Sequence, residues 1–198
     1  MVGKPKSINR KGSRVKLTSS NFAAAMGLNP YLSRQKLWKE LTGREPRPDL
    51  SDNVDVQRGV ENEFRAVAAA EAITGLLFQA TGANQKHYTL NDYGATPDGH
   101  CGSIGLEVKA PRTIADTVPI HYLPQVQGQC WIAGFDTVVF CQWTEMDGSR
   151  AWMVPRSDEY IAVTEELLAE FRLCLVNDEP PKRRKKPVMP EVSITRIN

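Results

Sequence analysis

The sequence predicts an α/β or α+β fold, a central mixed β-sheet flanked by helices, and three observations predict it. Helical patterns fill the first third of the 198 residues; from Leu76 onward the pattern shortens to strand-length runs broken by Gly, Asn and Asp; and one further helical segment interrupts those runs before a last helix closes the chain. That order suits one sheet covered by helices on its faces. With 41% apolar and 24% charged residues, the chain is long enough for one domain with a real core.

The elements follow in order. After a polar arm, Thr18-Ser19-Ser20-Asn21 offers N-cap groups for a short Ala-rich helix, Phe22 to Met26, stopped by Gly27. Ser33 caps a second helix, Arg34 to Thr42, ended by Gly43, and the Pro and Asp residues of 45–52 make a loop. A long helix is expected over Val54 to Thr74, rich in alanine and alternating charge. Strands are expected at Leu76 to Ala80, Lys86 to Leu90, Ala95 to Thr96 and Ile104 to Lys109, which puts Asp98 and Glu107 on neighbouring strands. A helix from Pro124 to Ala133 carries its proline in the first turn, where a missing N–H costs little. Two strands, Asp136 to Trp143 and Ala151 to Val154, are joined through Asp147-Gly148. Ser157 and Asp158 open a last helix with the stripe Tyr160, Ile161, Thr164, Leu167, Leu168, Phe171 and Leu175. The division is a basic arm over 1–17, a domain over 18–178, and a basic tail over 179–198 expected to be disordered or loosely docked.

Net charge is only +2, yet it is unevenly spread. Residues 1–39 hold nine Lys or Arg and no acid, 40–181 hold ten bases against 22 acids, and 182–198 hold six bases and one acid. Basic ends on an acidic body are either solvated tails or a path for a polyanion. Cys101, Cys130, Cys141 and Cys174 are scattered without CxxC spacing, so packed, reduced thiols are expected rather than a zinc site. No apolar run approaches the roughly 18 to 20 residues of a membrane span, and the basic N-terminus has no signal-peptide segment behind it. A soluble, cytoplasmic protein is the expectation.

The chemistry concentrates in Thr96-Pro97-Asp98-Gly99 and Glu107-Val108-Lys109. Side chains two apart in a strand share a face, so Glu107 and Lys109 project together while Leu106 and Val108 pack inward. An Asp and a Glu supply hard oxygen ligands for magnesium or manganese, and a Lys supplies positive charge near an attacking water or a phosphate. Asp-Gly pairs also make plain turns, and Glu-x-Lys also makes exposed charge pairs. Charges set among Ile104, Leu106 and Val108 in a central strand are costly unless they serve a purpose. Glu63, in Arg58-Gly59-x-x-x-Glu63, could swing in a third carboxylate or could simply face solvent. Gln125 and Gln129, four apart on one helical face, could position a water or a phosphate oxygen, or form a polar helix surface.

Taken together, Arg58-Gly59-x-x-x-Glu63, Thr96-Pro97-Asp98-Gly99, Gly105-Leu106-Glu107-Val108-Lys109-Ala110-Pro111 and Tyr122-x-x-Gln125-x-Gln127, in that order, resemble the lambda exonuclease or YqaJ-type viral recombinase family of PD-(D/E)xK nucleases. The resemblance spans roughly Arg14 to Tyr160 and implies a restriction-endonuclease-like core. It implies that Asp98 and Glu107 ligate magnesium with the Val108 carbonyl, that Glu63 ligates or bridges to a second ion, and that Lys109 orients and activates the attacking water, with Gln125 near the site. It also implies that Thr18 and Ser20 engage the terminal 5′ phosphate, with Arg14 as the candidate arginine, and that Arg14, Lys16 and Arg34 contact DNA phosphates without reading sequence. The implied activity is magnesium-dependent, processive 5′-to-3′ digestion of double-stranded DNA ends by a ring-shaped homotrimer, with manganese able to substitute. The implied partner is a single-strand annealing recombinase, and the implied setting a phage or prophage in a bacterial host.

Two other readings fit the same residues: a PD-(D/E)xK endonuclease or repair nuclease of other polarity, and a non-catalytic DNA-binding module. The joint presence of Glu63, Asp98, Glu107 and Lys109 argues against the second.

Overall fold

The computed structural model describes residues 17–197. Its first elements are β1 (Leu17–Thr18), α1 (Ser19–Met26), α2 (Arg34–Leu41) and α3 (Val54–Thr74). Short strands follow: β2 (Tyr88–Leu90), β3 (Tyr93–Ala95), β4 (Gly99–Cys101) and β5 (Ile104–Lys109). Then come α4 (Leu123–Ala133), β6 (Thr137–Thr144), β7 (Gly148–Pro155), α5 (Asp158–Val176) and β8 (Thr195–Ile197). The strands form a three-stranded sheet ordered β1-β3-β2 and a five-stranded mixed sheet ordered β4-β5-β6-β7-β8, in which only β5 and β6 run parallel.

Strand alternation decides which helix meets which face. Along β6, Val139 and Cys141 pack with Ala66, Val67 and Ala70 of α3, whereas Val138 and Phe140 pack with Val126 and Cys130 of α4. Along β5 the same alternation sends Leu106 and Val108 toward α3. Glu107 therefore points to the opposite face, toward α4. Behind α4, a second apolar cluster joins α1, α2 and α5, with Phe22, Met26, Trp38, Leu168 and Phe171 all buried. Gly128 permits this layering, since a Cβ there would stand 2.8 Å from the Phe22 ring and 3.1 Å from Ser19.

The capping expectations hold at Ser33, whose side chain accepts from the Lys36 amide, and at Ser157, which accepts from the Tyr160 amide. Thr18 occupies the N-cap position of α1 but caps nothing with its side chain. Its hydroxyl lies 2.9 Å from that of Ser20 instead.

One expectation is corrected, one strand is added, and one open alternative is decided. The strand expected at Leu76 to Ala80 is reduced to a single bridge between Gln79 and His100, because Ala80 turns into the left-handed region (φ 54°) and ends the extended run. The chain from Gly99 to Cys101, unassigned in the sequence, is the edge strand β4. The tail beyond Pro181 is docked: Met189 packs on the α1–α2–α5 cluster, Val192 and Ile194 on the α4 cluster, and β8 pairs antiparallel with β7. Four of its apolar residues, Met189, Val192, Ile194 and Ile197, each meet a cluster, while Val188 stays exposed; a mean composition hides that. Residues 1–16, including Arg14 and Lys16, lie outside the described residues. Among the described residues no helix is long and apolar enough to cross a membrane. Cys130 and Cys141 are buried thiols, pushed up to about 12 by burial, so neither is a nucleophile at neutral pH.

Candidate active site

β5 carries two charged side chains on one face, and the structure shows how each is accommodated. Glu107 is 1% exposed, a placement tolerable for a carboxylate only with partners. It has three. Lys109 donates to Oε1, Gln125 of α4 donates to the same oxygen at 2.7 Å, and Gln129, one turn further along α4, donates to Oε2. The shared helical face of Gln125 and Gln129 is thus a two-amide clamp on one carboxylate. Gln129 is itself fully buried, and its own carbonyl oxygen has no protein partner. Gln127 faces away, donating to the Pro155 carbonyl and accepting from the Ser157 amide, and so braces α4 against the start of α5.

Asp98 enters just before β4. Its amide donates to the Leu106 carbonyl at 2.9 Å, and its Oδ2 accepts from the Val108 amide at 2.7 Å, which fixes the carboxyl beside the strand that bears Glu107. Burial, and after it the charge of Glu107, holds the Asp98 carboxyl well above the usual carboxylate range, against the pull of Lys109 and the Val108 N–H. Lys109 is shifted in the direction that keeps its proton: burial opposes the charge, but Glu107 and Asp98 more than offset burial. An ammonium so held orients and attracts; it does not abstract protons.

Glu63, on α3, joins through an amide. The Gln85 side-chain nitrogen lies 3.0 Å from Glu63 Oε1 and 3.0 Å from Asp98 Oδ1. Among the described residues, no three His, Cys, Asp or Glu side chains gather on one point in metal-ligating fashion. The carboxylates are instead linked by Gln85, Lys109 and the α4 glutamines. Glu63, Asp98, Val108 and Lys109 line a cleft of about 220 Å³, closed on the α3 side by Val56, Gly59 and Val60. Oxygen donors of this kind suit a hard divalent cation that keeps several waters. The Arg58 side chain donates to the Ala110 carbonyl at 3.1 Å, tying α3 to the end of β5.

A profile of the YqaJ-like viral recombinase domain matches residues 8–136. The chain belongs to the YqaJ-like viral recombinase family. Its fold resembles that of an alkaline exonuclease, LHK-Exo, from Laribacter hongkongensis, at 25% identity and a TM-score of 0.67, covering 82% of this chain and 89% of that one. The same exonuclease in complex with dAMP gives 24% identity, a TM-score of 0.68 and the same coverage. A phage related exonuclease from Haemophilus somnus 129PT shares the fold at 13% identity, with a TM-score of 0.64 over 84% of this chain and 97% of that one. No curated protein matches the chain.

Within this YqaJ-like domain, Glu63, Asp98, Glu107, Lys109 and Gln125 are joined by hydrogen bonds, Glu63 to Asp98 through Gln85 and Gln125 and Lys109 directly to Glu107. Thr18 and Ser20 stand at the start of α1, where Ser19 between them packs on Gly128 of α4. Arg34, expected on a DNA path, is 7% exposed; its Nε donates to the Ala25 carbonyl at 2.8 Å and one terminal nitrogen donates to Glu170 at 2.9 Å. It joins α1, α2 and α5 from the inside. One participant, Gln85, escaped the sequence reading, and the burial of a second, Gln129, did too. Gln85 sits in a short turn after a 3-10 segment with no periodicity to mark it, and Gln129 looked like either a functional group or a wet helix surface until its burial was known.

Proposed function

We propose that the chain is a magnesium-dependent exonuclease that digests one strand of duplex DNA processively from its 5′ end, resecting linear ends for single-strand-annealing recombination. The observation that carries this reading is the buried Glu107, held by Lys109, Gln125 and Gln129 on a central strand with Asp98 beside it. So much organised charge in a core is expensive unless chemistry uses it.

Asp98 and Glu107, with the Val108 carbonyl, would hold magnesium, and manganese could take its place; Glu63 is near enough through Gln85 to serve a second ion. The bound ion would supply Lewis-acid polarisation of the scissile phosphate and a more acidic water. Lys109, kept protonated, orients the attacking water and offsets charge developing on the phosphate. The amides of Gln125 and Gln129 fix the Glu107 rotamer so that its oxygens need not reorganise during turnover. The paired hydroxyls of Thr18 and Ser20, with Arg14 and Lys16 before them, are offered to the terminal 5′ phosphate. A homotrimeric ring would account for processivity, with an annealing recombinase taking the exposed strand in the cytoplasm of a bacterial host.

The test is digestion of linear duplex DNA bearing or lacking a 5′ phosphate, with magnesium or with chelator. Release of mononucleotides from the 5′-phosphorylated strand, with closed circular DNA left intact, is the expected result. Digestion from the 3′ end, or none, sinks the proposal; linearised plasmid would favour an endonuclease. A native mass of one chain instead of three would remove the ring.

A further inference from the structure

A file of aromatic rings leads from Lys109 to the surface, and the described interactions of the catalytic groups leave it unused. The Lys109 ammonium sits 5.4 Å from the centre of the Tyr122 ring. The His121 ring lies 4.2 Å from that of Tyr122, and the Tyr31 ring meets His121 edge-on at 5.9 Å. Tyr31 is 84% exposed, although its loop is well fixed. Asn29 Oδ1 accepts from both the Tyr31 amide, at 2.8 Å, and the Leu32 amide, at 2.9 Å, and Leu32 packs on the α1–α2–α5 cluster. Single exposed apolar side chains need no explanation. A tyrosine held out on a pinned loop, in ring contact with a neighbour that reaches the candidate catalytic lysine, does.

We propose that Tyr31 and His121 form a stacking platform for the unpaired nucleobase next to the scissile phosphate. Every base has a π-face, so stacking grips a strand without reading its sequence, as an end-digesting nuclease requires. Burial, and then the nearby Lys109 charge, lowers the His121 pKa, which keeps the imidazole neutral and free to stack at working pH. Lys109 beneath Tyr122 places the positive charge on the phosphate side of the file, while the Tyr31 end is open to solvent. Ile120, 61% exposed in the same short turn as His121, adds apolar area to the rim.

The inference rests on the exonuclease reading, and one experiment separates the two. The full chain is mixed with a blunt duplex whose 5′-terminal base is 2-aminopurine, with calcium replacing magnesium to hold off cleavage, and both quenching and affinity are read. Wild type should quench the probe; Tyr31→Ala should lose the quenching and bind the end about 5- to 100-fold more weakly, while Tyr31→Trp keeps both. Tyr31→Ala with wild-type quenching and affinity, in a protein that still cleaves ends with magnesium, overturns the platform alone. A wild-type chain that neither binds nor cleaves DNA overturns both readings.

Discussion

Lys109 donates to Glu107 two residues earlier on the same face of β5, so the candidate catalytic cation and a candidate metal ligand are paired with each other. Any cation taking Glu107 as a ligand must loosen that pair. Lys109→Ala should therefore lower cleavage by about 100-fold or more, the scale seen for loss of a charge-stabilising group. Binding to DNA ends in calcium should persist. Retained cleavage would remove Lys109 from the mechanism.

Gln85 holds Glu63 to Asp98 through one amide nitrogen. Gln85→Leu should raise the magnesium needed for half-maximal cleavage by about 10- to 100-fold, as loss of a group that orients metal ligands generally does. Calorimetric titration of magnesium into the DNA-free protein should show the same weakening. An unchanged titration would make the Gln85 hydrogen bonds incidental.

Asp98 gives a signed pH prediction. Its folded-state pKa is raised, so the folded chain binds that proton more tightly than the unfolded one; the stability it contributes is present below the unfolded value of 3.8 and is lost as pH rises through the higher folded value. With chelator present, the melting temperature should fall as pH climbs through that window. Magnesium should restore more stability at about pH 8 than at about pH 5, because protons compete for the carboxyl. Equal stabilisation at both would show that Asp98 is not a ligand.

Arg34 separates packing from DNA binding. Arg34→Ala leaves the Ala25 carbonyl without its side-chain donor and Glu170 without one of its two arginine partners, and should cost about 1 to 3 kcal/mol in denaturant melts. The salt dependence of DNA binding should not change. A shallower salt slope with unaltered stability would restore Arg34 to the DNA path.

For the basic run Lys182 to Lys186, neutralisation is a cleaner test than truncation, which would also strip β8 from the sheet. Replacing these five residues by Gln should reduce the salt slope of DNA binding by about 0.9 for each phosphate that the run neutralises. Arg184 also pairs with Glu170, so a small loss of stability accompanies its replacement. An unchanged slope would exclude a direct phosphate role for the run.

The strand that carries Glu107 and Lys109 was legible from its periodicity. Period-two alternation over Ile104 to Lys109 put Glu107 and Lys109 on one face, and the fold keeps them there. The long helix Val54–Thr74 was legible despite Gly59, since Gly75 and a polar loop bound a run rich in alanine and alternating charge. What sequence could not supply was burial. Gln129 and Arg34 are polar residues in helical segments, and only the packing of α4 and α2 shows both to be interior. Short strands such as β4 and β8 have too few residues for periodicity and exist through their partners β5 and β7.

Because β8 covers the outer edge of β7, the long stretch between Asn177 and Thr195 does more than end the chain. A proteolytic cut there would release the strand and bare the unpaired main-chain groups of Ala151 to Met153. An open edge of that kind invites another chain to take the vacant place. Nicked protein should therefore be lost first to self-association, with the cleft around Asp98 and Lys109 still intact.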